Sequence, residues 1–517
     1  MRIVGRAVLF AVLGSLLACG GDSADQAGAD GGAGASGSGT PSGTSSGTGE
    51  TGGSGAGSSS TGASGGSSSG GGPGASCDDP LPEGTKYYVD GSCPVAGDGL
   101  AEGCATSDGA PGAFVDPQSC FDVIQAGETC LIKDGTYVTS NDGGDPSEDG
   151  GFALRQSGTA DAPIVIRSYP GHSPLLANCP PDQTSYCPRP TISALGVSHA
   201  HFDCLRVRGG FAIFGDYDYV DGVASVYDEG LVIQRSEITT GWGEVGDGNW
   251  AAIAVYQQNG AWIHHNDIHD VSVQSGGEQQ SSGSCIKLYH NTGSVIEYNT
   301  CKHVDIAESQ AGGIDDKAQA IDNVHRYNWI EDVPSCFRLN NQLQSSGVSF
   351  YQNVCIAKPR GTATATNIGI RLLTNIDGVE IYGNVVHGFE VGFMIMGEDS
   401  PVAGVVTYNN IFSQVGSNNL EAYAYAPSLR DYNAYWPGSL YLLDGSWAAS
   451  LSDVQAATPF DDHSLELDCG FVSPGTDFEL ISGSPCAGAG RTGGTPAGDP
   501  VDLGPYVDGI GCVGHDC

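Results

Sequence analysis

The sequence predicts an all-β fold, a right-handed parallel β-helix: a solenoid with disulfide-rich ends. Three observations predict it. Short apolar segments, most of them closed by an asparagine, recur along the middle of the chain. Within each segment the apolar residues alternate with period two and are rich in Val, Ile and Tyr, which is the pattern of strands. No ten-residue stretch of helical periodicity separates them, which sets aside βα- and α-solenoids.

The members of the repeat run in order. Ala200 to Cys204 and Leu231 to Ser236 are early copies without the asparagine. Trp262 to Asn266, Val295 to Asn299, Val324 to Asn328, Val348 to Asn353, Val379 to Asn384 and Val405 to Asn410 carry it. The closing positions 204, 236, 266, 299, 328, 353, 384 and 410 are spaced by 25 to 33 residues, about 29 on average, inside the range of repeat architectures. Strands repeating in one direction around an axis stack as parallel sheets, each coil about 4.8 Å above the last. An asparagine at the same corner of every coil tolerates left-handed backbone and hydrogen-bonds its copies above and below. These asparagines are therefore expected to be structural.

The repeat sets the domain boundaries. Residues 1–18 carry Arg2 and Arg6, then an uncharged run from Ala7 to Ala18, shorter than the twenty or so apolar residues that span a bilayer. The run ends Leu16-Leu17-Ala18-Cys19-Gly20, which resembles the bacterial lipobox and implies lipidation of Cys19. Residues 19–76 are almost entirely Gly, Ser, Ala and Thr and cannot bury a core. They are expected to be a flexible tether with a root-mean-square span of roughly 40 Å. Residues 77–200 are expected to form an N-terminal cap and the first coils, 201–415 the central coils, and 416–517 a closing segment.

Cysteine and charge narrow the function classes. The chain has 17 cysteines; setting Cys19 apart leaves an even number in an exported chain, which favours disulfides over metal sites. They cluster near the start (Cys77, Cys93, Cys104, Cys120, Cys130) and the end (Cys469, Cys486, Cys512, Cys517), where a solenoid needs closing. The net charge is −40, from 60 acidic and 20 basic residues. Such a chain is poorly suited to nucleic acid, whose phosphates call for Lys and Arg.

Each coil also has a strand preceding its asparagine strand. Aligned on their apolar residues these are Ile253-Ala254-Val255, Ile286-Lys287-Leu288, Ile314-Asp315-Asp316, Phe337-Arg338-Leu339, Ile370-Arg371-Leu372 and Phe393-Met394-Ile395. The flanking apolar residues point inward, so the middle residue points outward. Lys287, Asp315, Arg338 and Arg371 should therefore stack on one outer face, with Asp316 the alternative to Asp315. The bland explanation is a cross-coil ion-pair ladder. The functional one is a groove for an acidic sugar.

Val115-Asp116 through Tyr137, Ser157 through Gly171, and the tail motifs Gly483-Ser484-Pro485-Cys486 and Asp502-Leu503-Gly504-Pro505-Tyr506 resemble the opening and closing segments of the pectate-lyase-like superfamily. The chondroitinase-B and alginate-lyase polysaccharide lyases are the most alike. The likeness covers most of residues 85–510 and implies the β-helix. In that family a basic pair, Lys then Arg, lies on adjacent coils, and Lys317 with Arg338 fits this spacing. The resemblance implies Lys317 as the base that removes a sugar C5 proton and Arg338 as stabiliser or acid. Lys287 and Arg371 would clamp the substrate. The family also carries acidic calcium ligands shortly before its lysine. Here Gly312 and Gly313 fall in that region, while Asp315 and Asp316, with Glu308, could supply oxygen ligands to Ca²⁺. Both neighbours binding one ion would require a bulge, because successive strand residues face opposite ways.

The expected function is thus a monomeric, surface-displayed carbohydrate-active protein on the bacterial outer membrane, with an acidic glycan as partner. Cleavage would be by β-elimination. The alternatives are a non-catalytic glycan-binding or adhesion protein using the same face, or a glycoside hydrolase using paired carboxylates. His264, His265 and His269, with Glu244, Asp247 and Glu278 nearby, form a weaker candidate, since His264 and His265 should face opposite sides. Trp242, Trp250, Trp262 and Tyr256 offer aromatic faces.

Overall fold

The computed structural model describes residues 77–517 apart from internal stretches, the longest at 140–150, 180–186, 242–248, 272–281, 305–311, 360–365, 397–401 and 507–511. Residues 1–76, with Cys19 and the tether, lie outside the described residues, as do Trp242, Glu244, Asp247, Glu278 and Glu308. Among the described residues no helix is long and apolar enough to cross a membrane.

Each coil contributes three strands. A central coil consists of Gly312–Ile321, Val324–Arg326 and Trp329–Val333. Each pairs in parallel with its equivalent in the following coil, Ser335–Asn340, Ser345–Tyr351 and Val354–Ala357. The three stacks are faces A, B and C in that order. Faces A and B join into one 27-stranded sheet, and face C is a sheet of twelve strands. The molecule is a parallel β-helix.

Its core is the bore. Ile286, Leu288, Phe337 and Leu339 from face A meet Ile263, Ile296 and Phe350 from face B and Ile268, Ile330 and Val386 from face C, all buried. Burying such side chains contributes about 1.5–3 kcal/mol each.

The asparagine ladder stands between faces B and C. Asn266, Asn299, Asn328, Asn353, Asn384 and Asn410 each donate from Nδ2 to the Oδ1 of the next, at 2.9–3.1 Å, the last acceptor being Asn433. The ladder ends on Ser236 at one end and Ser464 at the other, where a serine hydroxyl accepts from the Leu205 and Asn433 N–H in place of the asparagine oxygen. The left-handed backbone at this corner does not fall on the ladder asparagines. It falls one residue earlier, on Cys204, Arg235, His265, Tyr298, Tyr327, Gln352, Asn409 and Tyr432, with φ between 51° and 58°. The asparagine supplies the hydrogen bonds, and its predecessor makes the turn.

Two short helices close the bore. Pro117–Val123 starts at Asp116, whose carboxylate accepts from the Ser119 N–H, and sends Cys120 and Phe121 into the core. Leu451–Ala457 starts at Ser450 and buries Leu451 and Val454 at the other end. The coils do not stop at residue 415. Asn418–Tyr423, Leu429–Asp431 and Ala434–Trp436 add another turn, and Leu440–Leu443 and Leu465–Glu466 extend faces A and C. The closing segment then folds back along the solenoid. Cys469, Phe471, Phe478, Cys486 and Leu503 pack on the outward Val354, Ile356, Val385, Ile411 and Ala434 of face C.

Eight disulfides use every cysteine after Cys19. The ends are stapled as expected, by Cys93–Cys104, Cys120–Cys130, Cys469–Cys486 and Cys512–Cys517. Two more bridges, Cys285–Cys301 and Cys336–Cys355, lie within the core of central coils and tie face A to face C. Cys77–Cys204 fastens the start of the described chain to the strand Ala200–Asp203.

Candidate functional site on the outer face

Strand register places the outward column of face A. Ala254 pairs with Lys287, Lys287 with Asp315, Asp315 with Arg338, Arg338 with Arg371 and Arg371 with Met394. Glu421 and Leu442 continue it. Asp315, not Asp316, is therefore the outward carboxylate, and the one register shift in this stretch comes after Lys317. A second outward column lies two residues further along each strand: Tyr256, Tyr289, Lys317 and Asn340. Lys317 lies over the Tyr289 ring, 5.9 Å from its centre. Lys317 and Arg338 thus share one side of the sheet on adjacent coils, their Cα atoms roughly 8 Å apart by strand rise and spacing.

Asp315 organises the cations. Its carboxylate accepts from Arg338 Nε at 2.7 Å and Nη2 at 2.5 Å, the paired fork geometry of the strongest charged hydrogen bonds. Lys287 Nζ is 3.5 Å from the same group. Burial alone would raise the Asp315 carboxyl, but Arg338 and Lys287 outweigh burial and hold it at about 2. Burial pushes the Lys287 ammonium down to about 7 against the pull of Asp315, with Lys317 and Arg338 pushing the same way. Three cations around one carboxylate leave the cluster positive in a chain of net charge −40.

Exposure modifies the expected roles. Lys287 is 0 % exposed and Arg338 4 %, while Arg371 is half-buried. Lys287 is held to Asp315 and does not reach solvent, so it does not act as a substrate clamp in this arrangement. Arg371, whose Nη2 lies 3.5 Å from Met396 Sδ, stands where the column opens.

Asp316 faces the bore. It aligns with Leu288 and Leu339, and its Oδ2 accepts from Asn323 Nδ2 at 2.9 Å and lies 3.0 Å from His325 Nε2. Burial raises the Asp316 carboxyl, and His325 and Asn323 work against that. Asp315 and Asp316 are on opposite sides of the sheet, each with its own partners, so one Ca²⁺ held by both does not fit. Nor can ligands sit where the resemblance puts them. A Cβ at Gly312 would lie 1.9 Å from the Ser335 carbonyl oxygen, and one at Gly313 would lie 2.4 Å from Ile330 Cγ2.

The histidine candidate departs from simple strand alternation. The left-handed turn at His265 swings its ring beside that of His264, and the two Nδ1 atoms are 2.8 Å apart. Burial lowers His264 to about 3, and His265 is lowered by the same cause. Trp262 stacks on His264 and donates to Glu297, and stays half-buried. Among the described residues the one group of three metal-type donors is Asp90 with Cys93 and Cys104, whose two sulfurs are joined in a disulfide.

The sequence reading missed Tyr289, Asn340 and the Asp316–His325 pair. Tyr289 and Asn340 each lie two residues beyond a column member, so the period-two rule reaches them. The interior pair gives no such signal, because a buried ionisable residue reads as a break in the pattern.

No protein-family model and no curated protein matches the chain. Solved structures do. The pectate lyase Pel9A is 14 % identical with a TM-score of 0.44, over 81 % of this chain and 96 % of that one. XylC in complex with xylose is 10 % identical with a TM-score of 0.46, over 76 % and 88 %. An alginate lyase from Paenibacillus is 12 % identical with a TM-score of 0.32, over 60 % and 95 %.

Proposed function

We propose that this is an exported, lipid-anchored protein that binds an acidic polysaccharide on face A and cleaves it by β-elimination. The observation that carries the reading is the cluster of Lys287, Lys317 and Arg338 around Asp315 on the outer face of a strongly acidic chain. Holding so many buried charges together costs more than a plain apolar ladder would, so the cluster needs a reason beyond stacking coils. A uronate supplies one, since its carboxylate is drawn to the excess positive charge. In this reading Arg338, fixed by Asp315, stabilises charge developing on that carboxylate. Lys317, beside the cluster and acting in its unprotonated form, takes the C5 proton as the C4–O bond breaks and the C4=C5 double bond forms; that proton passes to the departing C4 oxygen, and Arg371 receives the neighbouring sugar. Display on the outer membrane through Cys19, as a monomer, completes the proposal.

A hydrolase finds less support here. Asp315 and Glu421, the carboxylates of the column, are four strand spacings apart, roughly 19 Å. Hydrolysis needs the pair within about 5–9.5 Å. Non-catalytic binding is the second reading, favoured by the hold of Asp315 on Arg338. Incubation with alginate, pectate and chondroitin sulfate, with and without Ca²⁺, separates the two through the ultraviolet absorbance of the unsaturated product. Lys317→Ala should abolish that signal while leaving polymer binding. Absence of product from every polyuronate would sink the lyase reading.

A further inference from the structure

The outward surface of face A changes character past Arg371. Leu373, Met394, Met396 and Tyr423 are half-buried there, and Leu442 is covered. The face ends on a hairpin in which Ser446–Ala448 runs antiparallel to Leu440–Leu443, with Trp447 opposite Leu442 and Ala448 opposite Tyr441. Directly opposed residues of such a pair share a side of the sheet. Tyr441 is in the bore and Ala448 packs against it, so Trp447 stands outward, in line with Arg338, Arg371, Met394 and Glu421. It is 56 % exposed, an uncommon state for the largest aromatic side chain.

We infer that Trp447 is a distal sugar-stacking site, and that the strip from Arg371 to Trp447 receives the pyranose rings of a polysaccharide lying along the solenoid axis. This rests on the reading of face A as a polysaccharide site and extends it from a cleavage point to a long groove. Three features identify the occupant. The strip is continuous with the basic cluster, so one linear molecule meets both. From Arg338 to Trp447 there are five strand spacings, roughly 24 Å. A pyranose ring with its glycosidic oxygen advances by close to one spacing, so about five or six sugars fill the distance. The strip is also narrow: two outward columns about 7 Å apart over some 19 Å offer an area on the order of 150 Å². A stable protein partner needs about 800 Å² on each side. Indole and thioether surfaces suit the C–H face of a sugar ring, while the cations at the other end hold the carboxylate.

The experiment uses the full chain and polyuronate oligosaccharides of two lengths, a trisaccharide and an octasaccharide, with binding followed by titration calorimetry. Trp447→Ala should weaken octasaccharide binding about five- to tenfold, leave the trisaccharide unchanged and leave the melting temperature unchanged. Trp447→Phe should restore most of the loss. Equal octasaccharide affinity in wild type and Trp447→Ala would overturn this inference alone and leave the cluster as the binding site. Failure of the wild type to bind either oligosaccharide would instead overturn the function proposed for face A, and this inference with it. A change in sedimentation behaviour of Trp447→Ala, with no effect on sugar binding, would assign the strip to a second copy of the chain and also overturn it.

Discussion

Replacing Asp315 by Asn removes the one carboxylate that the face-A cations share. Arg338 keeps at most one of its two hydrogen bonds, at 2.7 and 2.5 Å, because the amide retains a single acceptor oxygen, and Lys287 loses a charged partner 3.5 Å away. The Asp315 carboxyl stands at about 2 in the fold, because Arg338 and Lys287 outweigh its burial. Against an ordinary value of ~3.9, this difference corresponds to roughly 2–3 kcal/mol of stability at neutral pH. Seen from the other side, two buried cations lose their counter-charge, and breaking a buried pair costs ~3–5 kcal/mol. These figures describe one loss from its two ends, so about 3 kcal/mol is expected rather than their sum. The folded pKa lies below the unfolded one. The stabilisation is therefore complete above about pH 4 and is lost as pH falls toward about 2. Urea unfolding of wild type and Asp315→Asn, followed by circular dichroism, should show a gap of that size at neutral pH. The gap should narrow as the buffer is taken from about pH 5 toward pH 3. A loss under about 1 kcal/mol at neutral pH, the size of a surface ion pair, would refute the argument. So would a gap that acid does not narrow.

Two other substitutions probe the interior. Asn328→Ala breaks the ladder at its centre, where Oδ1 accepts from the Asn299 backbone and side chain and Nδ2 donates to Ile296 and Asn353. With several buried partners orphaned, a loss of about 2–4 kcal/mol is expected in the same urea assay, and a loss below about 1 would show that the ladder is ornamental. Asp316→Asn addresses the carboxyl that burial raises. A raised carboxyl favours the fold below its unfolded pKa and loses that advantage as pH rises through its folded one. The amide should therefore raise the melting temperature at neutral pH and bring no gain in acid. A lower melting temperature at neutral pH would mean that the pair with His325 is ionic and needed.

The fold was legible because its signal is repeated. Ile253, Ile286, Ile314, Phe337, Ile370 and Phe393 align in sequence as they pair in space, and each coil confirms the register of the last. The coil after residue 415 was hidden because Arg430 occupies an inward place in line with Phe350, Ile381 and Thr407. It sits there because Asp461 pairs with it at 2.5 Å near the closing helix, and composition alone does not announce such a pairing. Asp316 and His325 disguise the bore in the same way. In the candidate site the column of charges was readable from alternation. The burial of Lys287 was not, because alternation tells which side a residue faces and not what covers it. The turn at His265 was missed because sequence favours Gly or Asn for left-handed backbone, whereas this corner places Arg, His and Tyr there.

The bridge from Cys77 to Cys204 has a mechanical consequence. A stack of coils held by its first strand would give way under tension one rung at a time, since each rung resists alone as it is peeled. Here the first face-B strand, Lys86–Val89, is followed by Thr129–Ile132, Ile164–Ser168 and Ala200–Asp203, and the bridge lies beside the fourth of these. Arg235 binds Asp79 and Asp203 at the same place, and Arg167 donates to the Cys77 carbonyl oxygen. Tension arriving through the chain ahead of Cys77 enters the wall of the solenoid part-way down and bypasses the end rungs. It must then shear several rungs together, so the coils that carry the face-A cations keep their spacing under load.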